Sequence, residues 1–145
     1  MPTVSRTRAI RAPSQDIWAI VVDPYHLPRW WPRVERVEGV DERGFTQLLR
    51  TRKGRAVRAD FTWLERAGGE RARWAQELAG TPFERILTAS ETEVLLAADD
   101  GGATTVTVTV RQRLRGVSRF GSWMVRGAAR RQLDEALEGL ERLVA

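Results

Sequence analysis

Four glutamines sit inside otherwise apolar patterns, and their type and spacing suggest hydrogen bonding in a pocket. Period-2 phasing places Gln47 with Phe45, Leu49 and Thr51. It places Gln76 with Trp74 and Leu78, and Gln112 with Val106, Val108, Val110 and Leu114. Phe61 and Trp63 share a further inward row with Val57. A carboxamide buried without a partner costs roughly 1–3 kcal/mol, so each glutamine needs another amide, a water or a ligand. One glutamine alone fits equally well with a wet strand end. Several converging on an apolar wall fit a ligand site, because a few placed polar groups in an apolar pocket are how small molecules are held.

Other chemistry is thinly represented. The chain has no cysteine, which removes disulfides, thiolate catalysis and the common structural zinc sites. His26 is the only histidine, so a multi-histidine metal centre is excluded as well. General acid–base work needs a titrating group in a pocket, and the only acid in register with an inward row is Glu65, near a Gly-Gly turn. There is no GxSxG, P-loop or GxGxxG motif. No residue is assigned a catalytic role, and no metal or cofactor is implied.

The elements that position these residues follow from the punctuation of the chain. Residues 3–12, "TVSRTRAIRA", form a short strand ending at Pro13. "PSQDIWAIVVD" is a short helix with Ile17, Trp18 and Val21 at helical spacing. Asp23 before Pro24 is an N-cap with proline at the first helical position, so a second short helix starts there and stops before Pro32. From Val34 to about Arg115, turn signals at Asp41 to Gly44, Lys53-Gly54, Gly68-Gly69, Gly80 to Pro82 and Asp99 to Gly102 separate about six strands. The clearest is "TTVTVTVRQRL", whose valines alternate with threonines as in a half-buried antiparallel strand. Val117 to Val144 is free of proline and reads as one long helix. Its inward face carries Ser118, Gly121, Ser122, Val125, Ala129, Gln132, Ala136, Leu140 and Leu143, small at first and bulky later. Arg119, Arg126, Arg130, Asp134, Glu138 and Glu141 fall opposite. The small half either lets the sheet approach closely or roofs a void.

These elements make one α+β domain, residues 1–145, in which a curved antiparallel sheet buries its apolar face on the last helix. The composition, 42% apolar and 30% charged, is that of a globular protein. No signal peptide or membrane span is evident, so a cytoplasmic location is expected. A net charge of +5 raises nucleic acid as a partner. The arginines are scattered, however, and pairs such as Arg50/Arg52, Arg71/Arg73 and Arg111/Arg113 have the spacing of a strand's solvent face, which argues against it.

The stretches "RAPSQDIWAIVVDPYHLPRWWPRV", "ARWAQELAGTP", "GGATTVTVTV" and "RGAARRQLDEALEGLERLV" resemble the SRPBCC superfamily, and within it the polyketide cyclase/dehydrase and lipid transport family. The resemblance implies a helix-grip fold, with a seven-stranded sheet wrapped around the C-terminal helix and two short helices after the first strand. It implies a hydrophobic cavity between sheet and helix. It also implies that Trp30, three residues after Leu27, packs the short helices onto the rest. Adjacent helical residues point about 100° apart, so Trp31 is expected at the cavity mouth, either gating it or partly exposed beside Pro32. The expected function is binding of a small or medium hydrophobic ligand by Trp31, Phe45, Gln47, Leu49, Phe61, Trp63, Trp74, Gln76, Val108, Val110, Gln112, Val125, Ala129 and Gln132. Polyketide cyclase or aromatase activity, and a basic interaction surface for nucleic acid or protein, are the alternatives. The protein is expected to be a monomer or homodimer.

Overall fold

The computed structural model describes residues 3–51, 53–115 and 122–144, without the side chains of 122–125. The chain runs β1 (Thr3–Ile10), α1 (Ser14–Val21), a 3-10 turn (Pro24–His26) and α2 (Leu27–Trp30). There follow β2 (Val34–Glu38), β3 (Gly44–Arg50), β4 (Ala56–Ala67), β5 (Arg71–Glu77), β6 (Leu87–Ala98), β7 (Thr104–Leu114) and α3 (Ser122–Val144). The seven strands form one sheet in the order β1-β7-β6-β5-β4-β3-β2, antiparallel throughout. This is the α+β helix-grip architecture expected from the sequence.

Each of the five turn signals between Asp41 and Gly102 lies between two strands. Asp41 accepts hydrogen bonds from the Arg43 and Gly44 amides, and Asp99 accepts from those of Gly101 and Ala103. These bonds hold both carboxylates' neighbours in tight turns. They also keep the Asp41 carboxyl below the usual carboxylate range. Gly44 is required by the fit of β3 on β4, because a Cβ there would collide with the Phe61 carbonyl. Asp23 caps the 3-10 turn by accepting from the Tyr25 amide at 3.0 Å. The predicted second helix is therefore split into a 3-10 turn and α2. Residues 117–121, the expected start of the long helix, lie outside the described residues, as do the side chains of Ser122 and Val125.

The core lies where α1, α2 and the C-terminal half of α3 meet the concave face. Ile17, Leu133, Leu137, Leu140, Val94, Val106 and Val108 are fully buried there. Leu133 and Leu137 were not in the expected inward face of α3; they widen its stripe toward the short helices. The acidic face of α3 is not simply solvated, as its expected position opposite the core implied. Arg6 and Arg8 of β1 point inward and pair with it, Arg6 Nε to Asp134 at 3.3 Å and Arg8 Nη1 to Glu141 at 3.0 Å. Such half-exposed pairs contribute little energy each.

Candidate functional site

Register carries the inward residues into rows that cross several strands. One row runs Val110, Thr92, Trp74 and Trp63 across β7, β6, β5 and β4. The next contains Gln112 and Ser90, which are directly paired, then Gln76, Phe61 and Phe45. Leu49 lies further along β3, opposite Val57, and is half-buried. Gln47 is buried, facing Ala59. Val108 and Val110 are buried on β7, and Gln112 is half-buried. The strands thus bring together every predicted sheet residue of the site on one face.

The aromatic members form a continuous cluster. Phe45 stacks on Phe61 with centroids 5.3 Å apart and meets Trp63 at 5.4 Å, while Trp63 meets Trp74 edge-on at 5.6 Å. Edge-on and offset rings satisfy the aromatic quadrupole, adding about 0.5–1.5 kcal/mol per pair beyond burial. Trp74 is buried, whereas Phe61 and Trp63 are half-buried. The described part of α3 makes its close approaches to β1, β7, α1 and α2 rather than to β3, β4 or β5. Among the described residues, the helix therefore covers the β1 and β7 end of this face, and Phe61 and Trp63 keep partial exposure.

Trp31 differs from its expected place at the mouth. It is 8% exposed and packs edge-on against Trp74 at 6.2 Å and Trp30 at 5.4 Å. The 100° separation of helical neighbours does not apply, because α2 ends at Trp30 and Trp31 has extended backbone, with φ −87° and ψ 126°. That change of backbone lets both indoles turn inward. Trp30 packs on α3 as expected: a Cβ at Gly139 would stand 2.7 Å from the Trp30 carbonyl oxygen. Tyr25 is exposed, and His26 pairs with Asp23 at 3.6 Å, so neither faces the wall.

On α3, Ala129 is half-buried against the core and Gln132 is half-buried. The predicted contribution of Val125 lies outside the described side chains. Among the described residues, the buried side-chain polar atoms without a hydrogen-bond partner are Trp30 Nε1, Trp63 Nε1 and Gln76 Nε2.

The carboxylates of β4 to β6 lie on the other face. A β-bulge at Leu64 reverses the phase of β4, so Glu65 leaves the row of Trp63. It turns out toward Arg71 and Arg73, each 3.7 Å away. The one acid expected on an inward row is thus removed from it. On the same outer face Glu93 is buried against Arg71, 2.6 Å away, with Arg73 and Arg111 nearby. After the bulge Arg66 returns inward and lays its guanidinium over the Trp63 ring, 4.9 Å from its centroid. Sequence phasing missed this residue, since only the bulge brings it to the wall. Near the far edge Glu35 accepts two hydrogen bonds from Arg50, which hold its carboxyl below the usual range. Among the described residues no group of three or more His, Cys, Asp or Glu could hold a metal ion. Among the described residues no helix is long and apolar enough to cross a membrane.

The family model for polyketide cyclase/dehydrase and lipid transport matches residues 1–145. The chain belongs to that family. No curated protein matches it. Among solved structures it is similar to a START superfamily protein from Mycobacterium smegmatis, at 16% identity and TM-score 0.78, covering 98% of this chain and 96% of that one. A conserved protein from Geobacillus kaustophilus superposes at 13% identity and TM-score 0.80, covering 99% and 95%. The Zhui aromatase/cyclase of a Streptomyces species does so at 17% identity and TM-score 0.78, covering 99% and 93%. At these identities the likeness establishes the fold, a START-type helix-grip, and leaves the ligand to be argued from the wall itself.

Proposed function

We propose that the chain acts as a single ligand-binding domain, holding a small or medium hydrophobic molecule between the concave face of the sheet and α3. The observation that carries this reading is the state of Phe61 and Trp63. Both belong to the inward rings, yet both are half-buried, on a strand that the described part of α3 does not closely approach. Partly exposed aromatic rings on the inward face of a sheet are suited to line a small-molecule site. Membership of the family supports the same class of ligand, aromatic, polyketide-like or lipid-like.

Binding is favoured over acid–base catalysis by where the titrating groups of the sheet lie. Among the described residues the inward rows of β3 to β7 carry no Asp, Glu, Lys or His, so no group there is placed to move a proton. The test is titration of the folded protein with the apolar reporter ANS, beside native mass spectrometry of the purified protein. One-to-one saturable binding with a change in tryptophan emission is expected, together with a co-purified small molecule. Absence of saturable binding of ANS, and of aromatic and fatty probes, overturns the reading.

A further inference from the structure

Cations that look scattered in the sequence are gathered by the fold. On the faces of the sheet arginines are paired with carboxylates, as Arg6 is with Asp134, Arg50 with Glu35 and Arg71 with Glu93. A second set, Arg33, Lys53, Arg55, Arg85, Arg113 and Arg115, is exposed and makes no ion pair among the described residues. All six lie at one end of the sheet. The Arg50 amide donates to the Arg33 carbonyl just before the turn that carries Lys53 and Arg55. Arg113 faces Ala89 at the start of β6, and the Arg115 amide donates to the Ile86 carbonyl, next to Arg85. The turns at the opposite end, 39–43, 68–70 and 99–103, instead carry Asp41, Glu42, Glu70, Asp99 and Asp100 against Arg43 alone. The molecule is thus polarised along its strands. Among the cations stands Ile86, 47% exposed, beside the half-buried Phe83 of the same connection.

We propose that this end of the sheet docks on an anionic lipid bilayer. Unpaired cations are attracted by the negative surface potential of acidic headgroups, and several short connections can meet a broad surface at once. The long stems of lysine and arginine lie along the headgroup region while their charges stay wet. Ile86 supplies the apolar contact that such a surface rewards, since it can enter the boundary between headgroups and acyl chains. Nucleic acid matches this arrangement less well, because its phosphates are met by cations alone and offer nothing to an exposed isoleucine. None of these residues belongs to the inward wall, so the inference goes beyond the ligand-binding reading and stands apart from it.

The full chain is sedimented with vesicles of phosphatidylcholine and phosphatidylserine in equal parts, and with vesicles of phosphatidylcholine alone, over a range of salt. Wild type is expected to bind the mixed vesicles and to release them as salt rises. Lys53→Ala/Arg55→Ala should weaken that binding by roughly 10- to 30-fold, as for two cations lost from an anionic surface. Arg85→Ala/Arg113→Ala should do the same, so that a folding defect in one pair, seen by circular dichroism, leaves the other to decide. Arg43→Ala, at the opposite end, should change binding by less than about 2-fold, being screened at that distance. Ile86→Ser should weaken it by a factor that persists as salt is raised. Wild type that does not prefer the mixed vesicles, or Arg43→Ala losing as much as the two pairs, overturns the inference. Sub-micromolar binding of duplex DNA through the same residues, without binding to vesicles, also overturns it and assigns this end to nucleic acid. Each of these results leaves the ligand-binding reading to its own test with ANS.

Discussion

The placement of Trp30 and Trp31 depends on how closely α2 approaches α3, and Gly139 measures that approach. A Cβ at Gly139 would lie 2.7 Å from the Trp30 carbonyl oxygen and 2.8 Å from its Cα. Both are backbone atoms, and the next residue is locked by its rings against Trp30 and Trp74. In Gly139→Ala, alanine gains about 0.5–1 kcal/mol of helix propensity, while overpacking against backbone costs about 1–3 kcal/mol. The expected net loss is about 0.5–2 kcal/mol. Gly127, on the same helix, is the control. Its added Cβ would meet only the tip of Arg131, at 3.8 Å, so Gly127→Ala should keep the propensity gain. At about 2–4 °C per kcal/mol for a chain of this size, the two variants should separate by roughly 2–12 °C in a thermal melt followed by circular dichroism. Gly139→Ala melting at or above wild type would refute the close approach and, with it, the anchoring of the two tryptophans.

Trp31→Ala should lose about 3–5 kcal/mol in urea unfolding, as for a core indole, and a loss below about 0.5 kcal/mol would return Trp31 to an exposed mouth. Arg50→Ala should raise the titration midpoint of Glu35, read by carboxyl-carbon NMR, since hydrogen bonding from Arg50 is the main cause of its lowered pKa. Because the folded-state values of Glu35 and Asp41 lie below their ordinary ones, their contribution to stability is present above the ordinary carboxylate range and disappears as pH falls through the folded values. An unmoved Glu35 midpoint in the variant would contradict that assignment. Duplex DNA should not bind with sub-micromolar affinity near physiological salt, because Arg6, Arg8, Arg50, Arg58, Arg71, Arg73 and Arg111 are already paired with carboxylates. Tight, steeply salt-dependent binding would contradict this.

Turns and alternation were legible in the sequence because they are local. Asp41, Asp99 and the glycine pairs mark the hairpins, and the valines of β7 declare their face through side-chain period alone. The inward rows of Phe45, Trp74 and Gln112 follow from the same period. What escaped the pattern was set by distant contacts or by a single-residue break in period. The bulge at Leu64 sent Glu65 outward and Arg66 inward, and nothing in "FTWLERAGG" distinguishes that from an unbroken strand. Trp31 has extended backbone because it precedes Pro32, and the inward direction of its ring is set by its contact with Trp74, far along the chain. The burial of Leu133 and Leu137, and the pairing of Asp134 and Glu141 with β1, depend on the angle at which α3 lies on the sheet. The sequence has no term for that angle.

The central claim is that the inward aromatic wall binds a hydrophobic ligand, and the indole N–H signals report on it directly. In a ¹⁵N-resolved NMR titration with ANS, the account predicts that Trp63 and Trp74 shift together and saturate at one equivalent, while Trp18 on α1 stays in place. Absence of saturation, or shifts that spare Trp63 and Trp74 and appear at Trp18 instead, would contradict it.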